Sequence, residues 1–229
     1  MKLVTILFLL FSLLIQAQGD LKEEPKTKSG YYLEDQIYIG ASYNLLRNKP
    51  ASVNLRGVSN TIFMGLIRDV PFNEQRNFGM GVGLGYARDT YFHNMKISNS
   101  SDQLSVSNFE DFEYFTSNKL LFHKIEMPIQ IRWRKSTIDK YKFFRLYSGV
   151  NLSYVFSSKS EFDLNGIQKY KDLNNINKLQ YGLSISMGHG TWNGFVYYGL
   201  NSLFKDVNFN NEDPLNLKSF KFGLMFYIM

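Results

Sequence analysis

The chain lacks cysteine, has only five prolines among its 229 residues and carries just three histidines, His93, His123 and His189. Without cysteine there is no disulfide framework and no residue to carry the lipid of a lipoprotein. The histidines do not form an HxxxH-type metal pair, and no Ser-His-acid order or pair of carboxylates recurs at a usable spacing. These absences argue against an enzyme, and we expect neither a metal nor a cofactor.

Long apolar runs are equally scarce, and the longest, Leu3–Ile15, directly follows Met1 and Lys2. It falls short of the roughly twenty residues that a bilayer-spanning helix needs. A basic start, a short apolar core and small residues behind it predict a secretory signal peptide over residues 1–18, with an uncleaved anchor as the alternative. Export also excludes nucleic acid as a partner, although the formal net charge is +6.

Residues 19–34 are rich in charge and contain Pro25. This composition predicts a flexible periplasmic leader, with a segment that docks in or near the following domain as the alternative. From residue 35 the pattern changes, so we place the boundary of the folded domain there and extend the domain over residues 35–229.

Large apolar residues alternate with small or polar ones in roughly eight segments of this domain. The first, around residues 36–45, sets Ile37 and Ile39 on one face against Tyr38 and Gly40 on the other. A period of two belongs to strands that have one apolar and one polar face. Two all-β architectures satisfy it: a soluble sandwich or lipocalin-like barrel with the apolar face inside, and an outer-membrane barrel with that face in lipid.

Two features favour the membrane barrel. The polar faces are rich in Gly, Ser and Asn, whereas a water-facing strand surface is normally rich in Lys, Glu and Thr. Long polar connections also alternate with short turns, as in barrels with long outer loops and short periplasmic turns; the long ones are 46–59, 89–120, 157–177 and 205–217, and the short ones are 69–77, 135–141 and 189–192. The sequence therefore predicts an eight-stranded antiparallel up-and-down transmembrane β-barrel, surrounded by the lipid of the cell outer membrane.

Aromatic residues lie next to the predicted short turns, namely Trp133, Tyr141, Phe143, Trp192 and Tyr227. A second group lies near the opposite rim and comprises Phe92, Phe122, Tyr154 and Phe156. Two aromatic bands that flank an aliphatic zone are typical of the interfacial girdles of membrane barrels.

The inward faces carry a polar set that predicts a lumen network: Lys124, Glu126, Gln130, Arg132, Arg134, Arg145, Tyr147 and Lys221. Eight strands leave an interior just wide enough to be filled by side chains, and buried charges are costly unless they are paired. Positive groups exceed negative ones in this set, so acidic residues from the leader or loops, water or an anion must compensate. A structural network and an anion or partner site both remain open. Pro128 predicts a bulge or weakened pairing near residues 126–128.

The third segment contains a row of alternate glycines, Gly79, Gly81, Gly83 and Gly85. The row fails the G-x-G-x-x-G phosphate pattern, because Leu84 and Tyr86 stand where the last glycine is required. Glycine in a strand marks curvature or close approach by a large group. We expect these glycines to face the lumen and to make room for Glu126, Arg132 and Arg134.

Two stretches, GLIRDVPFNEQRNFGMGVGLGYA and KIEMPIQIRWRKSTIDKYKFFRLYSGVNLSYVF, resemble the PorT family of outer-membrane barrels. In that family a Gly-alternating strand precedes a Glu-x-Pro strand, here Glu126–Pro128, and a Tyr-x-Gly-Val strand, here Tyr147–Val150. The resemblance implies an accessory role in type IX protein secretion and gliding, with other envelope or secretion proteins as partners. The alternatives are a surface-exposed structural or adhesive barrel and a narrow anion-conducting pore.

Overall fold

The computed structural model describes residues 35–73, 75, 77–99, 104–109, 116–135, 144–164, 166–210 and 213–228. The predicted signal peptide and leader lie outside these residues. In chain order the described strands are β1 (Asp35–Arg47), β2 (Asn60–Pro71), β3 (Phe78–Phe92), β4 (Met95–Asn99), β5 (Leu104–Asn108), β6 (Asn118–Arg134), β7 (Phe144–Asp163), β8 (Ile167–Lys171), β9 (Leu179–His189), β10 (Trp192–Gly199), β11 (Asn208–Phe209), β12 (Asp213–Pro214) and β13 (Lys218–Ile228).

Eight of these strands close into a ring in the order β1, β2, β3, β6, β7, β9, β10 and β13, and β13 pairs with β1 again. Every pairing in the ring is antiparallel and joins strands that follow one another around the wall. Closure leaves no free edge in the wall, so its backbone groups find partners without water. The prediction of an eight-stranded up-and-down barrel is confirmed.

Burial alternates along the wall strands with the expected period. In β1, Ile37 and Ile39 are 46% and 40% exposed, whereas the alternating Gln36 and Tyr38 are buried. Large aliphatic side chains therefore point outward and polar or small ones point into the lumen, as lipid on the outside requires. No helix among the described residues is long and apolar enough to span a bilayer.

Trp133 and Trp192 lie at the short-turn end with exposed rings that pack edge-on against Phe144 and Phe226, respectively. Tyr141 and Phe143 lie outside the described residues. The short turn after β9 is a two-residue hairpin in which Gly190 has a φ of 61°, a conformation that such turns require and glycine adopts readily.

The assignment of Tyr227 to this girdle is wrong, because the residue is buried and points into the lumen. It shares the inward register of Met225, two positions earlier on β13. The assignment of Phe122 to the opposite girdle is also wrong, since Phe122 is buried above the lumen. In both cases strand parity, and not nearness to a rim, decides which way the ring points.

The outer connections are not the irregular loops that their polarity suggests. They form an outer cap, which we define as the described residues of 48–59, 93–117, 164–178 and 200–217 together with Leu46, Tyr91, Leu120, Phe122 and Val155 at the upper ends of the wall strands. A four-stranded sheet, β12-β11-β5-β4, lies in this cap. The apolar core of the cap contains Leu46, Val53, Tyr91, Met95, Ile97, Leu104, Val106, Leu120, Phe122, Val155, Leu173, Ile176, Leu203, Phe204, Val207, Phe209, Leu215 and Leu217.

Pro128 weakens strand pairing, as predicted, but only on the side of β6 that faces β3. The ladder between β3 and β6 is interrupted where Gly83 and Leu84 pass Met127 and Pro128, and it resumes in the same register beyond them. Proline has no N–H with which to bridge the strands. The bulge lies instead at residues 123–124, where β6 pairs with β7.

The glycine row of β3 faces the lumen at close quarters. A Cβ atom at Gly85 would lie 2.0 Å from the hydroxyl oxygen of Tyr38, and one at Gly81 would lie 2.7 Å from Cδ of Arg132. The row therefore makes room for Tyr38 and Arg132. That it also makes room for Glu126 and Arg134 stays a prediction; Glu126 is the cross-strand partner of Gly85, and other atoms are the three nearest to each glycine position.

We predict that Gly85→Ala destabilises the barrel, because its methyl group cannot fit beside Tyr38 without a shift of the aromatic ring or the wall. Overpacking of this kind costs about 1–3 kcal/mol. The folded fraction, measured by heat-modifiable gel mobility over a temperature series, should fall at a lower temperature than in the wild type. Gly194→Ala is the matched control, since a Cβ there would meet only the Met187 carbonyl oxygen at 3.7 Å. Equal melting of the two variants would contradict the prediction.

Candidate functional site

The barrel lumen brings together the polar residues that the sequence singled out. All eight are buried, namely Lys124, Glu126, Gln130, Arg132, Arg134, Arg145, Tyr147 and Lys221. Inward positions of β6 run from Lys124 at the outer end to Arg134 at the short-turn end. Along this axis the charges fall into an outer and an inner group.

Asp89 organises the outer group. One of its carboxylate oxygens accepts from the Lys221 ammonium and from the Thr61 hydroxyl, each at 2.7 Å. The other oxygen lies 2.7 Å from Nζ of Lys124, which is also 3.7 Å from the carboxylate of Glu126. Two cations thus surround one fully buried carboxylate, which offsets part of the cost of removing all three from water.

Amide side chains complete the outer group. Asn151 donates to Glu126 at 3.3 Å, and Asn44 lies 2.9 Å from the Thr61 hydroxyl. Because that hydroxyl has a single proton and the Asp89 carboxylate is the stronger acceptor, the Asn44 amide is best oriented with its nitrogen toward Thr61.

Asp69 organises the inner group. Its carboxylate lies 2.6 Å from a guanidinium nitrogen of Arg134 and 3.4 Å from one of Arg132. Arg132 also donates to the side-chain oxygen of Gln36 at 2.8 Å. This group spans β1, β2 and β6, so it ties three wall strands together near the short turns.

Two aromatic rings lie against the same arginine. The guanidinium carbon of Arg132 lies 4.0 Å from the ring centre of Tyr147 and 5.4 Å from that of Tyr227. Arg145 reaches within 5.9 Å of the Tyr227 ring, and the two tyrosine rings pack edge to face at 5.4 Å. Cation–π contacts strengthen when desolvated, so these rings stabilise charge that the carboxylate alone does not neutralise.

An apolar layer separates the two charged groups and includes Tyr38, Phe63, Ile67, Phe195 and Met225. The rings of Phe63 and Phe195 pack at 5.1 Å. The cavity that remains here, between Glu126 and Gln130, has a volume of about 20 Å³. That is room for about one water molecule, so the lumen is filled at its centre.

Sequence reasoning missed both organising carboxylates. Asp69 was placed in a short turn and Asp89 in a long loop, because each follows the last clear apolar alternation of its strand. The alternation of β3 could have identified Asp89, since this residue continues the inward series of Gly81, Gly83 and Gly85. Their inclusion gives five cations against three carboxylates among the buried lumen residues described, and the expected positive excess is reduced.

The arrangement is suited to holding the wall together. Both organising carboxylates are engaged by cations, and Glu126 is engaged by Asn151 and Lys124. Over the described part of the chain, no three His, Cys, Asp or Glu residues are grouped to hold a metal ion.

His93 is a fully buried titratable group in the outer cap. Its Nδ1 accepts a hydrogen bond from the Met95 amide at 3.2 Å, which leaves the proton on Nε2. Burial lowers the pKa of His93 to about 4, because the apolar surroundings disfavour the charged ring. The closed cap therefore holds this imidazole in its neutral form.

The sequence matches the family model described as "Outer membrane protein beta-barrel domain" over residues 16–205. The comparison with curated proteins returned no match. Among solved structures, Ail, the attachment invasion locus protein of Yersinia pestis in complex with the heparin analogue sucrose octasulfate, is 14% identical. The alignment covers 86% of this chain and 99% of that chain with a TM-score of 0.39. This match does not show membership of the PorT family, which the sequence resembles.

Asp89→Asn should destabilise the barrel strongly, because it leaves Lys124 and Lys221 close together with reduced compensation. Removal of one partner from a buried ion pair costs about 3–5 kcal/mol, and urea unfolding of the protein refolded in detergent should show a loss of that size. Glu161→Gln is the control, since its lysine pairs are partly exposed and worth about 1 kcal/mol or less. The double variant D89N/K221M should recover part of the loss, and a strictly additive double variant would contradict the coupling.

Acidification should loosen the outer cap. Between pH 6.5 and about 4 an opened cap binds a proton at His93 that the closed cap does not, so the closed state loses stability as pH falls and retains it above pH 6.5. The full effect is roughly 3 kcal/mol. Hydrogen exchange of the cap amides should accelerate from pH 7 to pH 5 beyond the intrinsic change in exchange rate, and His93→Asn should reduce this dependence. Equal corrected protection at both pH values would refute it.

Proposed function

The chain belongs to the outer-membrane β-barrel domain family, and from this premise we propose that it acts by presenting its outer cap to a macromolecular partner. Short turns lie at one end of the barrel and the cap lies at the other. Since outer-membrane barrels place their long connections outside the cell, the cap is the extracellular face. The protein is thus proposed to be a contact-forming surface barrel.

The apolar core of the cap carries this proposal. Barrel closure does not require such a core, because the wall strands satisfy one another's backbone groups below it. Ile97, Val106 and Leu217 are nevertheless fully or almost fully buried in it. A core of this kind fixes the outer surface in one conformation, which lowers the ordering cost of binding a partner.

A narrow anion-conducting pore has less support. The inner arginines are held by Asp69 and by tyrosine rings, the central cavity measures about 20 Å³, and the cap core lies above the outer charged group. A permeating anion would have to displace side chains at each of these levels.

Two finer versions of the contact function remain. The resemblance to the PorT family supports an accessory role in type IX secretion, in which the cap or the short turns contact other envelope proteins. The preorganised cap supports a structural or adhesive role at the cell surface. The adhesive version requires the folded cap, and so does the accessory version when the cap is its contact surface. One pair of variants therefore tests both.

Val106→Asp places an unpaired charge in the cap core and should open the cap while leaving the barrel wall closed. In the native bacterium this variant should reproduce the gene-deletion phenotype. Ser105→Asp is the matched control, because it adds the same charge at the neighbouring exposed position of β5 and should behave as wild type. Gel mobility reports the barrel, protease sensitivity reports the cap, and assays of cargo secretion, gliding and surface binding report function.

The outcomes separate the candidates. Loss of secretion and gliding favours the accessory role, and loss of surface binding alone favours the adhesive one. Full complementation by Val106→Asp with a protease-open cap would overturn the contact proposal. A conductance in planar bilayers that Arg132→Ala and Arg145→Ala alter would favour the pore instead.

A further inference from the structure

A bulge turns one side of the barrel into a basic surface. Below it Lys124 pairs with Val155, and above it His123 pairs with Ser157, so Phe156 is the extra residue. A one-residue slip exchanges the two faces of a strand. Beyond the bulge, Ser157, Lys159 and Glu161 of β7 therefore share the outward face of β6, while Ser158, Ser160 and Phe162 are buried toward the cap.

Neighbouring strands add cations to this outward face, because directly paired residues of adjacent strands lie on the same face. On the β8 side, Lys159 pairs with Lys171 and Glu161 pairs with Lys169. On the β6 side, Glu161 pairs with Lys119. On β3, the exposed Arg88 pairs with His123. We name this surface the rim patch, and it consists of Arg88, Lys119, Lys159, Lys169 and Lys171.

The patch retains positive charge. Glu161 lies 3.1 Å from Nζ of Lys119 and 2.5 Å from Nζ of Lys159, so one carboxylate serves two lysines. Within the described residues, no carboxylate comes within 4.0 Å of the charged groups of Arg88, Lys169 or Lys171. Asp163 is the other carboxylate on this face of β7, and its side chain accepts from the Gly166 amide. Five cations therefore face two carboxylates.

The rim patch lies just above the level at which the wall leaves the lipid. Tyr86, Tyr154 and Phe156 are 38%, 49% and 51% exposed on the outward face immediately below it, as interfacial aromatics are. A cleft of about 280 Å³ opens beside the patch between Phe156, Asp172 and Lys178. The outward register of β7 and β8 thus places the lysines on the side of the barrel, at the level that lipid headgroups occupy.

We propose that the rim patch binds the phosphate groups of an outer-leaflet lipid headgroup. Lysine and arginine stems extend along the apolar wall while their charged ends reach the headgroup layer. The contact sets the depth and tilt of this side of the barrel, and it is independent of the partner-binding role of the cap's upper surface.

The test uses the full-length protein refolded in dodecyl maltoside and titrated with lipid A, a bisphosphorylated glycolipid, with bound lipid counted by native mass spectrometry. Lys159→Gln/Lys171→Gln should lower the affinity about thirtyfold, since each cation near a charged membrane surface contributes about fivefold. Arg88→Gln, on a different strand, should lower it several-fold. Added salt should weaken wild-type binding, because exposed charges are screened.

Arg47→Gln/Lys218→Gln is the matched control. These cations also pair across neighbouring strands at the outer rim, but on the other side of the ring. Their removal should leave lipid A binding within about twofold of wild type, and all variants should keep the wild-type heat-modifiable shift. Failure of the wild type to bind lipid A, equal binding by the rim-patch variants, or an equal loss in the control would overturn the proposal.

Discussion

The absence of water from the lipid layer is the constraint on which the rest of this structure depends. Backbone groups in the wall need partners within the protein, and only a closed ring supplies them for every strand. A ring of eight strands leaves an interior that side chains must fill. The interior is therefore filled by packed rings and by ion pairs, and Asp69 and Asp89 are the carboxylates that each engage two cations. Closure, filling and neutralisation are consequences of one requirement.

Filling the interior changes where function can lie. With an aromatic layer between two ionic groups and an apolar core above them, the lumen stabilises the protein and offers little space to a solute. The surfaces left to act are those outside the ring: the upper face of the cap, the short turns and the side of the rim. Of these surfaces, the cap is fixed by an apolar core, and the rim patch carries an excess of positive charge. These two features make the cap and the rim patch the best candidates for binding a partner.

Much of the wall was predictable because lipid imposes a strict rule on it. Alternation such as that of Ile37, Tyr38 and Ile39 placed the strands and their faces, and the inward set on β6 followed directly. The cap was not predictable in this way, since its apolar residues, such as Val53, Leu173 and Leu203, are scattered over separate connections without a sustained period. They form a core only after the ring has brought those connections together. Asp89 lay between the two cases. Its position in the alternation of β3 indicates an inward side chain, but its polarity suggested a loop.

One extra residue, Phe156, links the cap to the rim. In an unbulged β7 the parity of Tyr154 would continue upward, so Phe162 would point outward and Lys159 and Glu161 would point into the cap. The slip reverses this arrangement: Phe162 stacks on Tyr170 inside, and the charged pair remains outside. Bulges change the direction of side chains and increase local twist. Here the outer face of the wall changes from apolar to charged at the level where the lipid tails end. The same backbone irregularity thus supplies apolar side chains to the cap and cations to the membrane surface, which a regular strand of this sequence could not do.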